Sequence, residues 1–283
     1  MTSSTWRPEV EPEPERISLP GWVRAVFRGT ALALVTFGCL LLLILIRIVE
    51  RPLFGVRRPV TPYITQFVCR SAFVILGLGY STRGTAMRGQ GAVVSNHASW
   101  LDIFALNARK RIYFVSKSEV ADWPGIGWLA RATGTVFINR NRSEAVEQKR
   151  IFEERLNAGH KLLFFPEGTS TDGLRVLSFK STLFSAFFSD NLRDSLEVQP
   201  VTVVYYAPPG HDARFYGWWG DMGFGPHLLR TLAVARQGRV EVVYHPPVRV
   251  ADFPDRKALA KHCEAVVRGA LPFEAEEVLQ PTT

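Results

Sequence analysis

The chain has few of the features that mark several large classes of protein. Its 283 residues include three cysteines, Cys39, Cys69 and Cys263, which are odd in number and widely spaced. That pattern argues against a disulfide framework and predicts reduced packing residues. The sequence contains no Gly-x-Ser-x-Gly elbow, Walker loop, His-Glu-x-x-His helix or cysteine cluster. A serine hydrolase, a P-loop NTPase and a zinc enzyme are therefore excluded, and we expect no metal.

Charge is missing from residues 29–46, where no Asp, Glu, Lys or Arg occurs. The run Leu40–Ile46 is apolar on every face of a helix, which is typical of a membrane segment and not of an amphipathic surface helix. Charged residues follow at once, beginning with Arg47, in place of the small-residue cleavage site of a signal peptide. We therefore predict that the segment is retained.

A second, weaker apolar stretch runs over residues 62–80 and is interrupted by Arg70. Between the two stretches, Arg51, Arg57 and Arg58 form a basic turn suited to anionic headgroups. The pattern predicts a membrane-associated helical hairpin over residues 19–80 that dips into one leaflet. One spanning helix followed by one core helix is the alternative.

The remaining charge indicates the partners and the orientation. The net charge is +8 and the pI near 9.7, but no nucleic-acid motif occurs, so an anionic membrane surface is the expected partner. Positive charge is denser after the first apolar segment than before it, which places the bulk of the chain in the cytoplasm, on the inner membrane. Residues 1–18 are rich in proline and glutamate and predict a disordered tail, and residues 273–283 a C-terminal tail.

Residues 85–272 alternate between strand-like and helix-like runs, which predicts an α/β domain. The expected strands are Ala92–Ser95, Ile112–Ser116, Thr135–Ile138, Lys161–Phe165, Val198–Tyr205 and Val240–Tyr244. The expected helices are Ser143–Asn157, Pro226–Arg236 and Asp255–Leu271.

The segment Asn96-His97-Ala98-Ser99-Trp100-Leu101-Asp102 is the clearest indication of chemistry. A histidine and an aspartate five residues apart lie about 140° apart on one helix, so they meet only if His97 precedes the helix and Asp102 lies in its first turn. The flanks fit this arrangement, because a short buried strand precedes the segment and Ser99 can cap a helix with Asp102 at its third position.

Three further blocks follow in order. They are Gly134-Thr135-Val136-Phe137-Ile138-Asn139-Arg140, then Phe165-Pro166-Glu167-Gly168-Thr169, then Val198-Gln199-Pro200-Val201-Thr202-Val203. With the first block, they resemble the four blocks of the PlsC-type glycerolipid acyltransferases over residues 90–205. Lys117 and Pro124 also occupy places where that family usually has a lysine and a proline.

The resemblance implies a glycerolipid acyltransferase-like αβ sandwich with an N-terminal membrane-embedded helical segment. It also implies that Arg140 holds the acceptor's phosphate and that Glu167, Gly168 and Thr169, with Lys117, bind substrate. Two positions depart from the usual pattern: Ser170 stands where an arginine is common, and Ser181 where a glycine is common. The loss of an arginine weakens the case for a lysolipid with a bare phosphate.

The chemistry follows from transferring an acyl group from a thioester to an unactivated alcohol, whose proton must leave as its oxygen attacks. Histidine is a suitable base near neutral pH, and Asp102 would hold its ring and stabilise the imidazolium. No acyl-enzyme and no cofactor is needed. The donor would be acyl-ACP or acyl-CoA, and the acidic acyl carrier protein suits a basic enzyme.

The sequence thus predicts a membrane lysolipid O-acyltransferase. The first-choice acceptor is 1-acylglycerol-3-phosphate, giving phosphatidic acid. The second is a lyso-ornithine lipid or related lyso-aminolipid, which Ser170 favours. The alternative from another class is a non-catalytic lipid-binding membrane protein, against which the intact His97, Asp102 and Glu167 argue.

Overall fold

A mixed sheet organises the chain in the computed structural model, which describes residues 5–8, 16–89, 91–138 and 145–273. Within those ranges eight strands pair in the order β1-β7-β6-β2-β5-β3-β4, with β8 on β6. Their bounds are β1 Gly79–Gly84, β2 Gly91–Ser95, β3 Tyr113–Lys117, β4 Val136–Ile138, β5 Lys161–Phe164, β6 Glu197–Tyr206, β7 Arg239–Tyr244 and β8 Val248–Arg249. β6 runs antiparallel to β7 and β8, and the other pairs are parallel.

All six predicted strands are present, and none of their ends is shifted by more than one residue. β2 and most of β6 are buried, as their apolar and β-branched residues led us to expect. β1 and β8 were not predicted. β1 has the polar sequence Gly-Tyr-Ser-Thr-Arg-Gly and gives no strand pattern, but it pairs with β7 through its backbone. The sheet therefore begins at Gly79, ahead of the predicted domain start at residue 85.

Helices cover both faces of the sheet. The helices are α1 Leu19–Phe54, α2 Thr61–Leu76, α3 Asp102–Arg109, α4 Ile126–Thr133, α5 Ala145–Asn157, α6 Phe224–Ala233 and α7 Arg256–Arg268. One apolar core includes residues of α2, α3 and α6, and the other includes residues of α5, α7 and the short 3₁₀ helix Ser181–Phe188. This layered α/β arrangement confirms the predicted fold class.

The turn between α1 and α2 is held by charged side chains. Glu50 is buried, and its carboxylate accepts hydrogen bonds from the backbone of Val60 and Thr61 (2.7 and 3.2 Å) and from the Thr61 hydroxyl (2.7 Å). Arg47 donates to Glu50 and to the backbone oxygens of Gly55 and Arg57. Glu50 thus satisfies amides at the start of α2 that would otherwise have no acceptor.

Both ends of α1 are attached to the rest of the molecule. Near its N-terminus, Arg24 donates to the backbone oxygen of Ala233 (2.9 Å), and Arg28 donates to those of Leu232 and Val234 (3.0 and 2.7 Å), at the end of α6. Beyond its C-terminus, Arg58 donates to the backbone oxygen of Ala132 in α4 (2.6 Å). Arg58 was expected to face lipid headgroups, but it is half-buried and contacts protein instead.

Few of the 36 residues of α1 are buried. Its outer side is exposed and apolar. An 18-residue window within it has a mean hydropathy of 2.8 and is 11% buried. By length and composition this helix is a candidate membrane segment. α2 differs, since Cys69, Phe73 and Leu76 belong to the core beneath the sheet.

Part of the predicted N-terminal tail contacts the domain. The Trp6 ring packs edge-on against Trp219 at 6.0 Å, and Arg7 forms an ion pair with Asp221. The Arg175 guanidinium also lies over the Trp6 ring. Residues 1–4, 9–15 and 274–283 lie outside the described ranges.

Candidate active site

His97 and Asp102 meet where β2 ends and α3 begins. The His97 Nδ1 atom lies 2.7 Å from Asp102 Oδ2. Asn96, at the start of the loop between β2 and α3, fixes that loop. Its side-chain amide both donates to and accepts from the backbone of Val203 in β6 (2.9 and 2.8 Å). The predicted pairing of the two residues is therefore present in the structure, with His97 in the loop and Asp102 as the first residue of α3.

Asp102 is fully buried, and each of its oxygens accepts hydrogen bonds. Besides His97, Oδ2 accepts the backbone N–H groups of Ala98 (2.9 Å) and Ser99 (3.1 Å). The prediction that the Ser99 side chain caps the helix is wrong. Its hydroxyl has no hydrogen-bond partner among the described residues, and the helix begins two residues later than expected, because Asp102 itself binds the amides of the entering turn.

Tyr205, which no sequence motif indicated, completes this group. Its hydroxyl donates to Asp102 Oδ1 at 2.8 Å from the neighbouring strand β6. Burial and the adjacent carboxylate raise the pKa of Tyr205 well above its usual value, so the phenol stays protonated and donates. The residue lies five positions beyond Pro200 of the fourth block, but its strand context looks like ordinary core packing, and only the fold places it beside Asp102.

Glu167 reaches the same site from the end of β5. Since β2 and β5 are parallel neighbours, the loops that follow them share one edge of the sheet. Glu167 Oε1 accepts the backbone N–H of His97, and Oε2 accepts that of Leu177, both at 2.7 Å. The side chain is 2% exposed, so it fixes the backbone that carries the histidine.

Burial raises the pKa of Glu167 to about 8, although the two N–H donors act in the opposite direction. The loss of hydration is thus larger than the gain from hydrogen bonds. At neutral pH the side chain favours the protonated form, and near pH 8 its charge depends steeply on pH.

The face of the His97 imidazole lies on Phe165, with ring centroids 4.0 Å apart and an interplanar angle of 14°. The backbone oxygen of His97 accepts the N–H of Thr171 (2.9 Å), and the backbone oxygen of Ala98 accepts the N–H of Trp218 (2.8 Å). The His97 side chain keeps 22% of its surface exposed. The ring is therefore oriented by the protein but open to a substrate, and Nε2 is the nitrogen left for proton transfer.

Gly168 has a left-handed backbone conformation that favours glycine, and it lies beside the flexible end of the Lys180 side chain. Its φ is +73°, and a Cβ there would come within 2.6 Å of Lys180 Nζ. The Lys180 side chain is exposed and extends beside the Glu167-Gly168 turn. This lysine, which no sequence motif indicated, brings a positive charge next to the third block.

The other predicted binding residues have no described hydrogen bond to His97 or Asp102. Thr169 and Ser170 are partly buried in the same turn, next to Gly168. Lys117 is the exposed last residue of β3, at the end where β3 and β5 both finish. Arg140 lies outside the described residues, so its predicted role stays a prediction. Within the described ranges no group of three His, Cys, Asp or Glu side chains is arranged to hold a metal ion.

Comparison with known proteins agrees with this arrangement. The sequence model of the family described as "Acyltransferase" matches residues 80–204. The chain is 58% identical to lyso-ornithine lipid O-acyltransferase of Rhodobacter capsulatus over 96% of its own length and 98% of that protein. It is 32% identical to 1-acyl-sn-glycerol-3-phosphate acyltransferase of Neisseria gonorrhoeae over 65% of its length and 70% of that protein.

The fold also matches a solved structure. The crystal structure of the 1-acyl-sn-glycerophosphate acyltransferase PlsC from Thermotoga maritima superposes with a TM-score of 0.56 at 21% identity, over 90% of this chain and all of that one. Fold and sequence together define a lipid acyltransferase. The chain belongs to the PlsC-type acyltransferase family, and it is a lysolipid O-acyltransferase of lipid biosynthesis.

Proposed function

We propose that the enzyme transfers a fatty acyl group from a thioester to the free hydroxyl of a lyso-ornithine lipid. The observation that carries this choice is the 58% identity, over nearly the full length of both chains, to a protein named for that acceptor. Ser170 supports it, because an ornithine headgroup has a carboxylate and an ammonium group but no phosphate for an arginine at this position to bind.

His97 acts as the general base. Its Nε2 takes the proton of the lipid hydroxyl while the hydroxyl oxygen attacks the thioester carbonyl carbon. The C–S bond then breaks, and the proton passes from the imidazolium to the leaving thiolate. Asp102 keeps the Nδ1 proton on the ring and stabilises the imidazolium, and its other hydrogen bonds hold it in place.

Glu167 positions the histidine through its backbone N–H, at 2.7 Å. The exposed Lys180 beside Gly168 suits the carboxylate of an ornithine headgroup, and Arg140 of the second block supplies a further cation for the acceptor. Thr169 and Lys117 complete the binding residues. The donor is acyl-ACP or acyl-CoA, and the net charge of +8 favours the acidic carrier protein.

The enzyme works from one side of the inner membrane, with its domain in the cytoplasm. α1 would extend about 54 Å at ~1.5 Å per residue, far more than a bilayer core requires. Contacts near both ends of α1 tie it to α6 and α4 of the same domain, which supports a helix lying in one leaflet. A spanning helix would draw those helices into the bilayer.

A second acceptor is 1-acylglycerol-3-phosphate, which the Neisseria relative's name favours. Competition between the two lysolipids for purified wild-type enzyme, with one thioester donor, decides between them. We expect a larger kcat/KM for lyso-ornithine lipid. A preference for 1-acylglycerol-3-phosphate would overturn the proposed acceptor, and transfer to neither would revive the non-catalytic alternative.

A substitution at position 170 tests the choice of acceptor further. Ser170→Arg should shift the kcat/KM ratio toward 1-acylglycerol-3-phosphate, because a guanidinium binds a phosphate monoester through paired, charge-assisted hydrogen bonds. Ser178→Arg adds the same charge at an exposed position of the same loop and serves as the control. An equal shift in both variants would show that charge alone, and not position 170, sets the preference.

A further inference from the structure

Positive charge is concentrated at the end of the sheet opposite His97. There a cavity of about 320 Å³ is lined by eight residues, none of them acidic. Six of the eight are cations, Arg70, Arg88, Arg109, Lys110, Arg111 and Lys161, and we call this group the cationic pocket.

The fold brings these residues together because the parallel strands begin here. Arg88 precedes β2, Lys110 and Arg111 precede β3, and Lys161 is the first residue of β5. The register pairs Gly91 at the start of β2 with Lys161. α2 runs alongside and adds Arg70.

Acidic partners do not neutralise this charge. Within the described parts of the chain, none of the six cations forms an ion pair. Helix polarity accounts for two of them, since Arg109 ends α3 and Arg70 donates to the backbone oxygen of Ala108 at 2.7 Å. It does not account for the other four.

Three of those four cations, Lys110, Arg111 and Lys161, lie close enough to interact, and Arg88 lines the same cavity. Burial, Lys110 and Arg111 lower the pKa of Lys161, whose Nζ donates to the backbone oxygen of Arg88 at 3.1 Å. Gathering like charges without an acid is unfavourable unless an anion joins them. The pocket therefore has the composition of a site for a multiply charged or phosphate-bearing ligand.

One wall of the pocket continues into the apolar surface of the protein. Tyr63 of α2 lines the pocket, is 57% exposed, and lies under the Arg111 guanidinium at 5.1 Å. Val60, just before α2, and Phe67, on α2, are also exposed, and the outer side of α1 is apolar as well. Cations beside exposed aromatic and aliphatic side chains are typical of the headgroup layer of a membrane.

The pocket is separate from the reacting groups. β2 runs from the pocket to His97, and five residues at ~3.3 Å each span on the order of 15 Å. An anion bound here would be neither the attacking lysolipid hydroxyl nor the thioester carbonyl.

We propose that the cationic pocket binds the phosphate headgroup of an anionic membrane lipid that is not a substrate, held where α2 meets the bilayer. The proposal rests on the membrane attachment described under the proposed function. It adds a specific lipid site to an otherwise apolar attachment.

The test uses full-length protein in a neutral detergent. Binding of dioctanoyl phosphatidylglycerol and of dioctanoyl phosphatidylcholine is measured by native mass spectrometry over a range of salt concentrations. Wild-type protein should prefer the anionic lipid, with an affinity that falls as salt rises. The combined variant Arg88→Gln, Lys110→Gln, Arg111→Gln should lose at least about tenfold in affinity for it.

A matched variant removes the same charge from the far face of the sheet. Arg256→Gln, Lys257→Gln and Lys261→Gln change exposed residues of α7 and should leave phosphatidylglycerol binding as in wild type. Thermal unfolding of both variants checks that each is folded. Equal affinities for phosphatidylglycerol in the two folded variants would overturn the proposal.

Two further ligands test the source of the anion. Inorganic phosphate binding as tightly as the lipid would overturn a headgroup site in favour of a free-phosphate site. Acyl carrier protein that needs the three cations, while phosphatidylglycerol does not, would overturn it in favour of donor docking. Acyl transfer to lyso-ornithine lipid is measured in parallel in the same detergent. Its absence, with the lipid pattern intact, would refute the proposed function alone.

Discussion

The two ends of the parallel strands are built on opposite principles. At the end where β2 and β5 finish, short hydrogen bonds join the buried Asp102 and Tyr205 to the partly exposed His97. At the end where they begin, six cations surround a cavity without an acid. The first arrangement fixes atoms relative to each other, and the second creates a field without fixing a ligand's position.

The difference shows which kind of function each end can perform. Proton transfer needs a base held within hydrogen-bond distance of its partner, and that geometry exists before substrate arrives. Binding a mobile headgroup needs charge, and it tolerates movement of long side chains. Substitutions at the His97 end should therefore change kcat, and those at the other end should change lipid affinity.

The largest effect is expected for His97→Ala, because Glu167, the other ionisable group described beside it, is buried and bound to backbone N–H groups. Loss of a general base should lower kcat by about two to four orders of magnitude. Acyl transfer by purified protein, with circular dichroism to check the fold, measures this. Near-normal turnover on each lysolipid tested would disprove the mechanism.

Asp102→Asn should have the next largest effect. An amide fits the same space, but it cannot stabilise an imidazolium, and it can hold the wrong tautomer of His97. We expect kcat to fall by up to about 10⁴-fold, as for the same change in a serine hydrolase triad, with little change in KM. Asp172→Asn, a buried aspartate that pairs with Arg175, is the control, and a similar fall in both variants would point to general destabilisation.

Tyr205→Phe tests whether the hydrogen bond to Asp102 positions the proposed catalytic pair, His97 and Asp102. The change leaves Oδ1 without its donor in a buried site, which should cost about 1–3 kcal/mol of folding stability. It should also lower kcat several-fold. The acidic limb of the pH–rate profile, which reports the general base, should move to higher pH, because the carboxylate charge of Asp102 is less dispersed. Tyr206→Phe, one residue along and away from Asp102, should change neither, and an unshifted profile in Tyr205→Phe would assign the phenol to packing alone.

The last effect concerns Glu167 and the pH dependence of stability. Its pKa is raised from the usual 4.5 to about 8, so the folded protein holds a proton that the unfolded chain has lost between those values. Stability should therefore decrease as pH rises through this interval and should level off above about 8. Glu167→Gln cannot ionise, so its melting temperature should depend less on pH, whereas Glu264→Gln, which changes a less buried acceptor of a backbone N–H, should behave as wild type. Parallel slopes for Glu167→Gln and wild type would contradict the raised pKa.

Much of this arrangement could be predicted from local sequence. The spacing of His97 and Asp102 requires a loop followed by a helix, and strongly apolar runs such as Ala92–Ser95 identify buried strands. Tyr205, Lys180 and the cationic pocket could not be predicted in this way. Tyr205 lies 103 residues from its partner, and the pocket combines residues from α2 and from the starts of three strands. Their roles depend on strand order, which sequence periodicity does not specify.

Attachment of α1 to α6 also has a consequence for biosynthesis. Arg24 and its acceptor Ala233 are 209 residues apart, so the most apolar helix is synthesised long before its partner in the domain. During translation α1 emerges without the protein surface that its arginines later bind, while the lipid bilayer is already available. The order of synthesis thus favours insertion of the nascent chain first, with α6 docking onto a helix that is already in the membrane.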